Sequence, residues 1–278
     1  MLSLKSLEVA YPRKTLYANA RKMVEIYQPT DSPERLSEIF SSLFMDYSSL
    51  FCKNSELHSL VNQMMIHYYH NEAFIKSTFI QKVLWRGKHV NIFEFPVKDS
   101  RIDLCKINGN SVAYEIKTDF DTLKRLSKQL SDYGCVFEFV YVICSARREK
   151  DIRKMLPTGV GLYVYRDNGD TVSYRKVKNA TRSSSLCPKD QLDCLTLEEL
   201  RRLVKKEEKD LSKKALCENL LANKSLEDIN NIFKTTIKEH YYKNWDFLKE
   251  NSPKINEIDY QWFFKTMVSP TAKFQTTI

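Results

Sequence analysis

The chain has 278 residues, 42% of them apolar and 28% charged, and a formal charge of +9. That length suffices for one large domain, or a core with helical additions, and for a core that needs no disulfide or metal staple. It contains nothing near the roughly 20 successive apolar residues of a membrane span, and its opening stretch, MLSLKSLEVAYPRKTL, has neither a sustained apolar run nor a small-residue cleavage site, so a cytoplasmic protein without a membrane anchor is expected.

Seven cysteines, at 52, 105, 135, 144, 187, 194 and 217, form no CxxC pair. The odd number and the spacing point to reduced thiols and against a zinc or iron–sulfur site. The charge is unevenly spread. Residues 1–70 carry seven basic and seven acidic side chains, residues 71–180 twenty and thirteen, and residues 181–278 seventeen and fifteen. A middle segment with this excess suits a polyanion such as nucleic acid.

Apolar spacing predicts helices over 15–30 and 34–70, with the turn PTDSP between them and Asp31 or Ser32 as a cap. The run NEAFIKSTFIQKVLW, 71–85, is an amphipathic helix with Glu72 in its first turn. The period then shifts to that of strands at 89–95, 101–107 and 112–117, the last two joined by a turn at Asn108-Gly109-Asn110. A helix is expected over 121–133, capped by Asp119 or Asp121 and closed near Gly134. An apolar and hence central strand follows at 137–144, then a basic helix over 146–156, and strands at 161–165 and 171–178 around Asn168-Gly169. Residues 179–190 read as a linker. Three helices are expected over 196–208, 213–223 and 225–242, the first opened by a Thr196/Glu199 capping box.

The chemistry concentrates in SRIDLCKINGNSVAYEIKT, 100–118. Strand alternation puts Glu115 and Lys117 on one face and Tyr114 and Ile116 on the other. A short hairpin brings Asp103 close to them. Two carboxylates and the Ile116 carbonyl are hard oxygen ligands suited to Mg²⁺ or Mn²⁺. Such an ion would acidify a water and neutralise charge on a phosphodiester, with Lys117 orienting that water. In the following helix Asp121, Arg125, Gln129 and Tyr133 recur every four residues, a polar stripe suited to phosphates and a base or sugar.

Glu72, Asp103, Glu115-Ile116-Lys117 and Gln129-x-x-x-Tyr133 stand in the order of the RecB-like branch of the PD-(D/E)xK nuclease superfamily, which the chain resembles over roughly 71–178. The same stretch also resembles a bacterial family known by a myxobacterial locus name and found near mobile elements. The resemblance implies an α/β fold with a restriction-endonuclease-like mixed sheet flanked by helices, and N- and C-terminal helical additions. It implies metal-dependent phosphodiester hydrolysis, with a setting in phage defence or mobile-element biology. Asp103 and Glu115 would hold the metal, Lys117 would serve the water, Glu72 would complete the metal shell, and Gln129 and Tyr133 would position substrate. Ile102 stands where the motif has Pro, and the iron–sulfur cysteines of some RecB-like members are absent.

Arg101 is read as a phosphate contact or a partner of Asp99, and Glu94 as a supporting carboxylate or a solvent-facing strand residue. The expected segments are a helical region 1–70, a nuclease-like core 71–178, a linker 179–195 and a helical region 196–278. The expected partner is nucleic acid, DNA favoured over RNA, with a second copy or another protein docking through the C-terminal helices. A non-catalytic binding module on the same fold, and an RNA-directed nuclease, are the competing readings.

Overall fold

A computed structural model describes residues 3–44, 57–168 and 171–268. By compactness the chain falls into two units, residues 1–81 with 167–172 and 246–278, and residues 82–166 with 173–245. These divisions cut across the segments drawn from composition. The helical region expected over 196–278 is shared between the units, and Glu72 belongs to the first unit rather than to the one that holds Asp103.

The first unit is helical: α1 (Leu4–Ala10), α2 (Arg13–Ile26), α3 (Pro33–Leu43), α4 (Leu57–Tyr68) and α5 (Glu72–Phe79), which runs into a π turn at Ile80–Leu84. The region expected as one helix over 34–70 is two helices. Its middle, 45–56, lies outside the described residues, as do Cys52 and Gly169. Helix α2 buries Leu16, Asn19, Ala20 and Met23 at three- and four-residue spacing, against Leu60, Val61 and Met64 of α4. Ser32 and Asn71 cap α3 and α5 through the Arg35 and Phe74 amides. Tyr27 bridges the Asp259 carboxylate (2.9 Å) and His58 Nδ1 (3.0 Å).

The second unit is built on six strands in sequence order: β1 (Val90–Val97), β2 (Ser100–Asn108), β3 (Asn110–Lys117), β4 (Phe139–Ser145), β5 (Gly161–Asp167) and β6 (Val172–Lys178). Strands β1, β2 and β3 pair antiparallel, while β3–β4 and β4–β5 pair parallel, so the sheet is mixed. Parallel neighbours need a crossover. Here these are α6 (Leu126–Val136) and α7 (Glu149–Met155). Gly109 closes the β2–β3 hairpin at φ +69°, a conformation that costs glycine little. Gly161 leaves room for the Tyr141 ring, which a Cβ there would meet at 2.3 Å.

Two expectations are corrected. The helix expected over 121–133 begins at Leu126, and neither Asp119 nor Asp121 caps it. Asp121 instead folds back to accept from the Thr118 amide and hydroxyl, a local side-chain–backbone bond that competes with the helix. Gly134 lies inside that helix, which ends at Val136. The linker expected over 179–195 is a docked strap. Its Thr181 and Ser183 amides bond to the Gly159 and Glu138 carbonyls, and it contains α8 (Pro188–Asp193) with Gln191 and Leu192 buried.

The remaining helices are α9 (Leu197–Arg202), α10 (Lys213–Asn223), α11 (Leu226–Asn251) and α12 (Tyr260–Thr266). The Thr196/Glu199 capping box forms as expected, but α9 stops at Arg202. Phe95, Phe137 and Phe233 pack edge-on, with centroids 5.8–6.4 Å apart, and tie β1 and the end of α6 to α11. Among the described residues no helix is long and apolar enough to cross a membrane.

Candidate active site

The hairpin register decides which carboxylates meet. Val97 pairs with Ser100 across the turn Lys98-Asp99, and the same register pairs Phe93 with Leu104 and Phe95 with Ile102. Glu94 therefore stands across from Asp103. On the other side of β2 the ladder ends at Leu104–Tyr114, and one step further Asp103 stands across from Glu115. Three neighbouring strands thus place one carboxylate each in a single row. Asp103 is held there by the Ile116 amide, which donates to Oδ2 at 2.6 Å. A carboxylate oxygen of Glu94 and one of Asp103 lie within 4.8 Å of each other.

Glu115 is the most enclosed member, 1% exposed. Lys117, two residues on and on the same face, reaches its Oε1 at 2.6 Å and Gln129 Oε1 at 3.1 Å. Tyr133 donates to Glu115 Oε2 and to the Arg101 carbonyl, both at 2.8 Å. Burial, followed by the Glu115 and Asp103 charges, pushes the Tyr133 phenol well above its usual range. It therefore remains a donor. Gln129 and Tyr133 are one helical turn apart on α6 and share the face that packs over β2 and β3.

Of the residues picked from sequence, Asp103, Glu115, Lys117, Gln129 and Tyr133 come together. Arg125 is the exposed N-cap of α6, one turn before Gln129, and its carbonyl accepts from the Gln129 amide at 3.0 Å. Arg101 is paired with Glu94 rather than Asp99, while Asp99 lies 3.5 Å from Lys128. Glu72 opens α5 and pairs with Lys76 at 2.6 Å, within the helical unit. The residue that strand alternation undervalued is Glu94. Its side chain is 6% exposed, and its backbone is left-handed at φ +56°. A non-glycine residue held so costs on the order of 1–3 kcal/mol and concentrates at functional positions. The signal was present in the two-residue turn Lys98-Asp99, which sets the register of β1 against β2.

The donor set fits a hard divalent cation. Glu94, Asp103 and Glu115 offer carboxylate oxygens, the hard donors such an ion takes, with Arg101 and Lys117 paired to two of them.

A family model described as bacteriophage P4 protein cII matches residues 65–261. Protein cII of Enterobacteria phage P4 is 32% identical over 145 residues, covering 51% of this chain and 55% of that protein, so the chain spans about half the length of this curated relative. No solved structure matches. The family match takes in the site from Glu94 to Tyr133, and the chain belongs to the bacteriophage P4 cII family.

Proposed function

We propose that this protein is a metal-dependent nuclease that hydrolyses phosphodiester bonds of nucleic acid, DNA in preference to RNA. The observation that carries the reading is the pairing of Lys117 with Glu115 beside Asp103, on the hairpin edge of a basic unit. The order of elements, a three-stranded antiparallel meander followed by two parallel crossovers, is compatible with a restriction-endonuclease-like core. So is the sequence of motif residues along it.

Asp103, Glu115 and the Ile116 carbonyl would hold Mg²⁺ or Mn²⁺, with Glu94 beside them. When bound, the ion supplies charge neutralisation at the phosphate and a more acidic water. The chain's own residues do the rest. Lys117 holds its ammonium on the Glu115 side of the site, where it can orient the attacking water and offset developing charge. Gln129 fixes the Lys117 amine. Tyr133 locks the Glu115 carboxylate through its second oxygen and ties α6 to β2. Arg101, 68% exposed beside Glu94, is placed to meet a phosphate. The reading carries a cytoplasmic setting in phage or mobile-element biology, in keeping with the phage relative.

One observation favours a second reading, a nucleic-acid-binding module without turnover: both Glu115 oxygens already have protein partners. Cleavage of labelled single- and double-stranded DNA and RNA with Mg²⁺, Mn²⁺ or EDTA separates the two. Metal-dependent cutting, lost in Glu115→Ala and Lys117→Ala, is the expected result. Salt-sensitive binding with no cutting at any metal concentration would retire the nuclease in favour of the binding module.

A further inference from the structure

We infer that Arg166 and Arg175 form a second phosphate-contact site that holds the backbone of the same nucleic acid away from the point of cutting. The identity of the polymer rests on the nuclease reading. The argument begins with register. In the parallel ladders Lys117 pairs with Cys144 and Cys144 with Val164, so these three lie in one row on one face. The Asn168 amide donates to the Thr171 carbonyl at 3.0 Å and closes the β5–β6 hairpin. Counting back from that bond, Arg166 faces Ser173, Tyr165 faces Tyr174, and Val164 faces Arg175. The Tyr165 and Tyr174 rings lie 6.2 Å apart, as this register requires. Arg175 therefore extends the row that starts at Lys117, and Arg166 lies two residues further along β5 on the same face.

Strand spacing and rise put Arg166 roughly 12 Å from Lys117 along the backbone surface, which is three to four nucleotide steps of a duplex strand. Between them lies Cys144 on β4, whose thiol feels the charges of Glu149, Arg148, Asp119 and Arg153. Lys150 and Lys154 of α7 are exposed.

The two arginines line a cavity of about 380 Å³ with Val164, Ser173 and Tyr174, and among the described residues no carboxylate is in its wall. Among the described residues neither guanidinium has an ion-pair or hydrogen-bond partner. Four other exposed arginines are paired, Arg35 with Glu38, Arg147 with Asp119, Arg153 with Glu149 and Arg202 with Glu198, while Arg166 and Arg175 share one cavity. Protection of a sheet edge explains basic residues on β6, the edge strand, but not Arg166 on β5. Two planar cations without anions, a hydroxyl and a tyrosine ring around one cavity are the groups that grip a phosphodiester and its sugar or base.

The test is binding of a labelled 20-nucleotide duplex and its single strand by the full chain in EDTA, across a salt series. The proteins compared are wild type, Arg166→Ala/Arg175→Ala, Arg166→Lys/Arg175→Lys and the charge-matched control Lys5→Ala/Lys22→Ala. Losing two phosphate contacts lowers the slope of log K against log salt by about 1.8 on duplex DNA. We expect that change in the alanine pair, with about tenfold weaker binding near physiological salt, no change in the control, and a slope restored in the lysine pair. Equal losses in the control and the alanine pair would reduce the effect to net charge and overturn the inference. Metal-dependent cutting by wild type, with binding unaltered in the alanine pair, would sink this inference alone. Absence of binding by wild type at every salt concentration would sink it together with the nuclease reading.

Discussion

The two ends of β3 each hold a buried carboxylate beside a lysine, yet they are built oppositely. At the start of the strand Glu138, 3% exposed, meets Lys234 at 3.3 Å and Arg182 at 3.2 Å. It also accepts from the Ser111 amide at 2.8 Å and from Asn230 at 3.0 Å. Lys234 goes on to the Gly109 carbonyl at 2.8 Å, and Gln191 joins Asn230 to the end of α6. Arg182 is shared with Glu227 at 2.7 Å, so two acids meet two cations, and the partners of Glu138 come from the hairpin, the strap and α11. At the other end Glu115 meets Lys117, only two residues away, and Glu94 meets Arg101 across one hairpin. The first arrangement ties together segments far apart in sequence and acts as a staple. The second joins neighbouring strands and lies beside an exposed arginine. A buried ion pair is therefore weak evidence of a site, and the sequence distance between its partners says more.

The sharpest way to break this contrast is to remove each acid. Glu115→Gln should lower metal-dependent cleavage by a factor of about 10³ or more while leaving the chain folded, because it removes charge where charge stabilises the transition state. Cleavage rates beside a circular-dichroism melt check it. Rates within threefold of wild type would make the Glu115 end a staple as well.

Glu138→Ala should act on stability instead. It strands Lys234, 10% exposed, without its counter-charge, and removing one partner of such a pair costs about 3–5 kcal/mol. Urea unfolding reads the difference. A loss below about 1 kcal/mol would show that Arg182 and Lys234 find other partners.

Tyr133→Phe sharpens the comparison, because it touches the charged row without altering its charge. It removes the bonds to Glu115 and the Arg101 carbonyl, and a loss of about 1–3 kcal/mol in stability is expected, with partial retention of cleavage. Cleavage abolished with stability unchanged would move the tyrosine from holding Glu115 to contacting substrate.

The left-handed backbone at Glu94 predicts a smaller effect. Glu94→Gly should be more stable than Glu94→Ala by about 1 kcal/mol, the reverse of the usual order in a strand, because glycine relaxes a positive φ. Equal melting of the two variants would show that β1 straightens once the Glu94–Arg101 pair is gone.

The smallest effect concerns pH. Burial alone would raise the Asp132 carboxyl, but hydrogen bonds from Lys128 and Ser100 outweigh it and hold the group below its usual 3.8. A folded value under the unfolded one contributes stability above about pH 4 and loses it as pH falls through the folded value. Asp132→Asn should lower stability near pH 7 and flatten the acid limb below pH 4, so that the two stability–pH curves converge as pH falls. An unchanged acid limb would show that Lys128 and Ser100 do not favour the ionised form.

Much of the site was legible because its geometry is local. Glu115 and Lys117 share a face by strand alternation, and the Asn-Gly-Asn turn brings β2 onto β3 whatever else the chain does. Gln129 and Tyr133 are one helical turn apart in any α-helix. The helix itself begins more than a turn later than its spacing suggests, at Leu126 rather than 121, where Asp121 folds back onto the Thr118 amide. Glu94 was undervalued because its strand looked independent, whereas the Lys98-Asp99 turn ties it to Asp103.

What the sequence by itself determined is whatever depends on neighbours within a few residues: strand periods, the tight hairpin, the Thr196/Glu199 cap, and the shared face of Glu115 and Lys117. What only the tertiary structure decided depends on which distant segments meet. Glu138 gathers partners 27, 92 and 96 residues away. The strap reads as a linker because its polar side chains find partners in the strand ends and helices it crosses. The Arg166–Arg175 cavity exists because two parallel crossovers and a hairpin set the row that begins at Lys117. Local propensity carries no information on such pairings, since the energies that select them arise only when the whole sheet is assembled.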